Sequence, residues 1–291
     1  MSGRLQVSIH GLGRKRKTIL KYKGLSFALV ALLAFSALLA AAQAAPGATK
    51  IVGAASVDKM LQGIPQQGIV LGKPDAPITM IEFVEPQCPG CGEWARTELP
   101  GVTARYVRLG KIKLEYRGIS FLGSDSKGLL TLAQAAGEQN KLWNVVELEY
   151  QNQGSEGSGY ADQAYLEAIA KAVPGLNAAK ALALTGSSKV AARIDEAQAL
   201  SEQYQIRETP SFAIGKTGHE QNMTVMAKVW GQGLYSSIDD ALAGKPVPAK
   251  SAGLPAWAIV LIVMAGVAVL SGAIAVLARR SERRHAPPPA A

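Results

Sequence analysis

Cysteine is scarce in this sequence, which contains two in 291 residues. Both lie in one short stretch, Cys88-Pro89-Gly90-Cys91, so only two residues separate the thiols. Three chemistries use cysteines at this spacing: a reversible disulfide, half of a zinc site, or covalent haem attachment. Haem attachment requires a histidine directly after the second cysteine, and the residue there is Gly92. Haem attachment is therefore excluded.

Histidine is nearly as scarce, with three residues, and this shortage limits metal binding. A structural zinc site takes about four ligands, and the two thiols supply half of them. His10 and His285 lie in the charged ends of the chain, which leaves His219. A single histidine near a predicted turn is most often a surface residue. The sequence therefore predicts no metal site, and a dithiol that cycles with a disulfide remains.

Acidic residues are missing from the first 25 positions, which carry seven lysines and arginines. Residues 279–284 are also basic, with four arginines and one glutamate. The rest of the chain has 20 basic and 21 acidic residues, so the net charge of +9 belongs to the two ends. A nucleic-acid-binding face would need a local basic patch, and we expect none. Basic ends of this kind are typical of the cytoplasmic flanks of membrane segments.

Charged residues are also absent from two long apolar runs. Residues 25–42 precede a small-x-small pattern that a signal peptidase could cut before Ala45, and an uncleaved signal anchor is the alternative. Residues 254–278 are long enough to cross a bilayer of about 30 Å. Because arginines follow this second run at once, its end is expected in the cytoplasm. The segment between the runs is then extracytoplasmic, where disulfide chemistry occurs.

The residues around the two cysteines predict a strand, a turn and a helix. Residues 78–84 (ITMIEFV) form a short apolar, β-branched run that is typical of a buried strand. Residues 92–99 have a helical pattern, and Pro89 suits the first helical turn because no N–H partner is needed there. Cys88 is then at a helix N-terminus, where free N–H groups and the helix dipole lower a thiol pKa. We expect Cys88 to be the nucleophile and Cys91 to be the buried resolving thiol.

Three segments carry a resemblance to a known family. Residues 76–91 resemble the active-site segment of the DsbA-like branch of the thioredoxin superfamily. Residues 209–215 (TPSFAIG) resemble its second landmark, and residues 152–176 resemble the helical insert of bacterial members. The likeness covers residues 56–243. It implies a thioredoxin-like α/β fold with a large helical insertion near residues 125–205.

The resemblance also implies roles for three further residues. In the family, the proline that matches Pro210 is cis and faces the cysteines, which places the backbone of Thr209 beside the sulfurs. There the Thr209 N–H and C=O could pair with an extended substrate like an added strand. Glu82 matches a buried acid that assists proton transfer at the inner thiol, and burial would raise its pKa. The alternative is that Glu82 lies at a strand edge and faces solvent.

The dipeptide between the cysteines departs from the strongly oxidising members of the family, which carry a histidine in its second place. Gly90 supplies no such group, so one interaction that stabilises the thiolate is missing. We therefore predict a Cys88 pKa above the about 3.5 of DsbA, and a reduction potential less oxidising than about −120 mV.

These patterns divide the chain into six segments. They are a signal peptide or signal anchor at 1–45, a spacer with a short helix at 46–68, the DsbA-like domain at 69–243, a linker at 244–253, a transmembrane helix at 254–278 and a cytoplasmic tail at 279–291. We expect a Ser56 cap on the short helix. Strands are predicted at 69–72, 78–84, 111–116, 211–215 and 224–230.

Together these expectations predict a membrane-tethered, extracytoplasmic thiol–disulfide oxidoreductase that introduces disulfides into exported proteins. The resemblance implies reoxidation by an integral membrane partner of the DsbB or vitamin K epoxide reductase-like type. No organic cofactor or metal is needed beyond the redox-active Cys88–Cys91 disulfide. A purely structural disulfide between these cysteines is disfavoured, because closing so short a loop removes little entropy from the unfolded chain.

Three alternative functions remain open. The first is the reverse chemistry, a reductase that keeps exported thiols reduced, for example in cytochrome maturation. The reduction potential of the cysteine pair distinguishes it from an oxidase. The second is a thiolate metal-binding module, which would hold copper or zinc on the purified protein. The third is a chaperone with a vestigial redox site, which would tolerate loss of Cys88.

Overall fold

The computed structural model describes residues 50–250, 260, 261, 263–265, 267, 268 and 271. The predicted signal or anchor segment at 1–45 and the tail at 279–291 lie outside these residues, as does most of the predicted span at 254–278. Within the described residues, no helix is both long and apolar enough to cross a bilayer.

Among the described residues, six strands form one sheet in the spatial order β1-β2-β4-β3-β5-β6. They are β1 (Gln66–Gln67), β2 (Val70–Leu71), β3 (Ile78–Val84), β4 (Ile112–Gly118), β5 (Ser211–Lys216) and β6 (Thr224–Val225). β3 and β4 are parallel, and the other neighbouring pairs are antiparallel. All seven residues of the central strand β3 are buried, which is why its sequence is almost continuously apolar.

Helices cover both faces of the sheet. They are α1 (Ala54–Leu61), α2 (Pro89–Thr97), α3 (Leu99–Val102), α4 (Ser124–Gly137), α5 (Leu142–Gln151), α6 (Gln163–Ala172), α7 (Ala178–Leu184), α8 (Ser188–Gln203) and α9 (Gly231–Leu242). A π-helical turn at Thr103–Val107 continues α3. Helices α4 to α8 follow β4 and precede β5, so the predicted helical insertion into a thioredoxin-like α/β fold is present.

Polar caps in the sequence define the starts of three helices of the insert. The side chains of Asp162, Asn177 and Ser187 accept hydrogen bonds from backbone N–H groups in the first turns of α6, α7 and α8. Each cap satisfies a donor that the helix itself leaves free, which contributes about 1 kcal/mol.

The sheet separates a main core from a smaller one. Met80 and Val84 of β3 face the main core together with α1, α2 and α5, whereas Ile81 and Phe83 face the smaller core on the opposite side. Helix α5 lies deepest, because every residue from 142 to 150 is buried. The side chains of β3 alternate between the two cores, so Glu82 points into the main core.

Two predicted boundaries are wrong at the ends of the domain. The first helix begins at Ala54 rather than at a Ser56 cap, because Gly53 takes the left-handed conformation (φ 87°) that starts it. Val57 and Leu61 of this helix are buried in the main core, so the helix is part of the folded domain and not of a spacer.

The strand predicted at 224–230 is also too long. β6 ends at Val225, and the chain then turns into α9 at Gly231, where φ is 53°. Met226 still bonds back to the sheet through its N–H and the Phe212 carbonyl, at 2.8 Å. Part of the predicted linker lies alongside, since Ala249 forms an isolated bridge with Met226.

Candidate active site

The two cysteines lie where the central strand meets the active-site helix. β3 ends at Val84, a short loop follows, and Cys88 is the N-cap residue of α2 with Pro89 in the first turn. Both thiols are free in this structure. Cys88 is half-buried at the surface, whereas Cys91 is buried in the main core and only 1% exposed.

The two thiols have opposite acidities because their surroundings differ. A hydrogen bond from the Cys91 thiol is the main cause that lowers the pKa of Cys88 to about 5, and contacts with Thr209 and the N–H groups of Gly90 and Cys91 add to it. Burial is the main cause that raises the pKa of Cys91 well above its ordinary value, and the neighbouring Cys88 charge raises it further. At neutral pH, Cys88 is therefore a thiolate and Cys91 a thiol.

The second predicted landmark reaches the same place. The Thr209–Pro210 peptide bond is cis, the isomer that the resemblance implies. When Cys88 is protonated, its thiol donates to the Thr209 carbonyl oxygen with an Sγ–O distance of 3.4 Å, although the two residues are 121 positions apart. Gly90 packs beside them, since a Cβ added there would lie 3.4 Å from Cδ of Pro210.

Glu82 lies beneath this surface. It is 1% exposed, and its register partners are Tyr116 on β4 and Phe212 on β5. One of its carboxylate oxygens, Oε2, has no hydrogen-bond partner within the part of the chain that the structure describes. Burial raises its pKa to about 8, because a charged carboxylate is poorly solvated there. The alternative of a solvent-facing glutamate at a strand edge is therefore wrong.

A buried polar network that the sequence interpretation missed holds the loop between β3 and Cys88. Glu85 accepts a hydrogen bond from the Gln87 N–H at 2.6 Å and another from the Ser126 hydroxyl. The Gln87 side chain donates to Ser126 Oγ at 2.8 Å and to the Leu122 carbonyl at 2.9 Å. Glu85, Gln87 and Ser126 are each at most 1% exposed.

The helical insert supplies the remaining contacts of this loop. Gln153 donates through Nε2 to the carbonyl oxygens of Pro86 and Cys88, at 2.9 and 3.0 Å. The Tyr150 hydroxyl donates to the Glu85 carbonyl at 3.3 Å. The only hint in the sequence was that Glu85 and Gln87 are polar residues placed between an apolar strand and the cysteines. Their partners lie far away in the chain, so no local pattern predicts them.

Comparison with known proteins identifies the family of this chain. The thioredoxin family profile matches residues 65–228, which is more than half of the chain. The chain belongs to the thioredoxin family.

Two relatives of this thioredoxin-family protein are named as disulfide bond formation proteins. "Probable disulfide bond formation protein D" of Bacillus cereus is 34% identical over 107 residues, and the match covers 35% of this chain and 48% of that protein. "Disulfide bond formation protein D" of Bacillus subtilis is 22% identical over 151 residues, 50% of this chain and 66% of that protein.

The chain spans about half the length of the first of these relatives, with 48% of it covered. Solved structures show the same fold over a larger part. The crystal structure of oxidised BdbD from Bacillus subtilis superposes with a TM-score of 0.54 at 19% identity, over 62% of this chain and 98% of that one. Alpha-DsbA1 of Wolbachia pipientis gives a TM-score of 0.51 at 20% identity, over 65% and 96%. The thioredoxin-family protein therefore has a DsbA-like fold.

His219 takes no part in this site of the thioredoxin-family protein. It is exposed in the turn between β5 and β6 and precedes a 3₁₀ turn at Glu220–Asn222. Within the part of the chain that the structure describes, no cluster of three histidine, cysteine, aspartate or glutamate side chains has the arrangement of a metal site.

The acidity of Cys88 gives a first testable prediction. We expect its thiolate to titrate with a midpoint of about 5 in the full-length thioredoxin-family protein, above the about 3.5 of DsbA. Ultraviolet thiolate absorbance as a function of pH measures this, and Cys88→Ser is the control that removes the transition. A midpoint at or above the ordinary thiol value of 9.0 would show that the hydrogen bonds to Cys88 do not form.

Proposed function

We propose that this protein is a membrane-tethered, extracytoplasmic thiol–disulfide oxidoreductase that introduces disulfides into exported proteins. One observation carries the proposal: an accessible, acidic Cys88 thiol lies beside the Thr209 carbonyl, with the buried and weakly acidic Cys91 directly behind it. A pair with such unequal pKa values suits a reactive nucleophile and a resolving thiol. The names of the relatives, disulfide bond formation protein D, agree with this chemistry.

The reaction follows from the positions of the two sulfurs. A substrate thiolate attacks the Cys88 sulfur of the oxidised pair, the Cys88–Cys91 bond breaks, and its electron pair goes to Cys91, which takes up a proton. A second substrate thiolate then attacks the substrate sulfur of the mixed disulfide. Cys88 leaves as a thiolate, so the substrate gains a disulfide and the enzyme is left reduced. A low pKa makes Cys88 a good leaving group, which speeds this second step.

The low pKa of Cys88 also favours the oxidising direction over the reductase alternative. Hydrogen bonds that lower the pKa of Cys88 stabilise the reduced enzyme, and a stabilised reduced form makes the disulfide a stronger oxidant. Reoxidation then requires an electron acceptor. We assign this role to an integral membrane partner of the DsbB or vitamin K epoxide reductase-like type, and the Cys88–Cys91 disulfide is the only redox group required of this chain.

Substrate recognition is proposed for the backbone of Thr209. Its carbonyl oxygen lies 3.4 Å from the Cys88 sulfur, and the residue precedes β5 at the exposed end of the sheet. An extended peptide that pairs with this backbone brings its own cysteine to Cys88 without any requirement for sequence. The uncharged run at 254–278, followed by arginines, supports the membrane tether and a cytoplasmic C-terminus.

Trapping of mixed disulfides tests the function. We expect Cys91→Ala in the full-length protein to accumulate disulfide-linked adducts with exported proteins, because the resolving thiol is absent. Cys88→Ser combined with Cys91→Ala is the control and should give no adducts. Adducts confined to cytochrome maturation proteins, with a reduction potential near the about −270 mV of thioredoxin, would identify a reductase. An absence of adducts in cells that export cysteine-containing proteins would contradict the proposal.

A further inference from the structure

Helix α5 carries two glutamates at positions where the chain is fully enclosed. Glu147 is 1% exposed and Glu149 is 4% exposed. Both carboxylate oxygens of Glu147 are buried without a hydrogen-bond partner among the described residues. An isolated carboxylate in such a place is costly, so Glu147 is expected to hold a proton or to exchange one with a neighbour.

The direction of the Glu147 side chain follows from its helix neighbours. Trp143 and Tyr150 lie one turn before and one turn after it, on the same face of α5. The Trp143 ring packs edge-on against Tyr116 with 6.1 Å between ring centroids, and Tyr116 is the register partner of Glu82. The Tyr150 hydroxyl bonds to the Glu85 carbonyl. Glu147 is therefore directed at the sheet surface that carries Glu82.

The other side of Glu147 is close to solvent through helix α2. Arg96 is an exposed residue of α2, and it donates through one guanidinium nitrogen to the Tyr150 carbonyl at 2.6 Å. Burial is the main cause that raises the pKa of Glu147, the charge of Glu82 raises it further, and the charge of Arg96 lowers it. Glu147 is therefore close enough to both the exposed Arg96 cation and the buried Glu82 carboxyl for each to act on it.

We propose that Glu147 relays protons between Glu82 and the protein surface at Arg96. This inference rests on the proposed function and names how the inner thiol of that same site exchanges its proton with water. Glu147 does not touch the sulfurs, so it acts through Glu82 as a positioning residue. The charged groups that act on Glu147 are Glu82 on β3 and Arg96 on α2, and the charge of Glu147 acts in turn on Tyr150 of its own helix.

The relay supplies the proton that Cys91 takes up in the exchange reaction. When the Cys88–Cys91 bond breaks, the electron pair left on Cys91 accepts a proton from the Glu82 carboxyl. Glu82 then accepts the proton of Glu147, and Glu147 takes one from water at the Arg96 side. Burial raises the pKa of Glu147 well above its ordinary value, so both acids begin the cycle protonated. No oxidant or reductant is consumed in these transfers.

A matched pair of variants on one helix tests the relay. Glu147→Gln keeps the shape of the protonated acid but cannot pass its proton on. Glu149→Gln is the control, because Glu149 is also buried on α5, and burial alone raises its pKa, whereas the pKa of Glu147 also responds to Glu82 and Arg96. The readout is the rate at which a small dithiol opens the Cys88–Cys91 disulfide of the full-length protein, measured with and without added small weak acids as proton donors.

We expect Glu147→Gln to slow this step about tenfold, since direct proton transfer contributes about 10²–10⁴-fold and the relay is one step removed. Added weak acids should restore the rate, Glu147→Asp should retain most of it, and Glu149→Gln should leave it unchanged. The relay is overturned if wild-type protein is active and Glu147→Gln matches it, or if both glutamine variants slow equally without rescue. Wild-type protein that does not react with dithiols would instead overturn the proposed function.

Discussion

Replacement of Glu82 by glutamine is expected to stabilise the protein by about 3 kcal/mol at about pH 7. The wild-type side chain is buried in the main core, and its pKa is raised from 4.5 to about 8. At neutral pH the folded protein therefore holds a proton that the unfolded chain has released. Folding at neutral pH therefore includes the protonation of Glu82, which costs free energy. Glutamine avoids this cost because it does not ionise.

The sign of the effect fixes its dependence on pH. Because the folded state binds more protons than the unfolded state between pH 4.5 and about 8, the wild-type free energy of unfolding decreases as the pH rises through this range. The advantage of Glu82→Gln should be absent below pH 4.5, increase through the window and level off above about 8. Denaturant unfolding of the full-length protein at three pH values measures it, and an advantage independent of pH would contradict this explanation.

The same variant is expected to lose activity. Glutamine cannot give a proton to Cys91, so opening of the Cys88–Cys91 disulfide by a dithiol should slow about 100-fold, the lower end of what a general acid contributes. A change that stabilises the fold and slows the reaction would show that Glu82 is retained for function at a cost in stability. An unchanged rate would show that water reaches Cys91 directly.

Replacement of Glu85 by alanine should have the opposite effect on stability. Its carboxylate accepts hydrogen bonds from the Gln87 N–H and the Ser126 hydroxyl, and both donors are buried. Each buried donor left without an acceptor costs about 1–3 kcal/mol, so we expect a loss of about 4 kcal/mol in the free energy of unfolding. Glu156→Ala is the control, because Glu156 is exposed in the nearby loop, and its effect should stay within about 0.5 kcal/mol.

The variant Glu85→Gln distinguishes the loss of hydrogen bonds from the loss of side-chain volume, because glutamine keeps the volume of glutamate. Ser126 Oγ already accepts a hydrogen bond from Gln87 and donates its own proton to Glu85. An amide at position 85 has one oxygen for two donors, so its NH₂ would face either the Ser126 hydroxyl or the Gln87 N–H. Glu85→Gln should therefore also destabilise, by about 1–3 kcal/mol. If both variants had the same free energy of unfolding as wild type, the network would not hold the loop in solution.

Local features of the site were predictable where the chain encodes them over a few residues. The apolar run before Cys88 and the proline after it predict a strand and a helix start, and both are present. The predicted strand at 224–230 was too long, because its apolar residues pack around a turn into α9 rather than in the sheet. A pattern of alternating or apolar residues predicts that the residues are buried, but it does not predict which element they pack against.

The sequence by itself determined that two thiols meet at a helix start after a buried strand, since hydrogen bonding and periodicity within that stretch are enough to specify it. Only the tertiary structure decided how acidic each thiol is and which side chains control it. Thr209 reaches Cys88 from 121 positions away, and the Trp143 ring of α5 packs on Tyr116 of β4. Desolvation and hydrogen bonding between distant segments arise only when those segments pack together, and no local pattern contains that information.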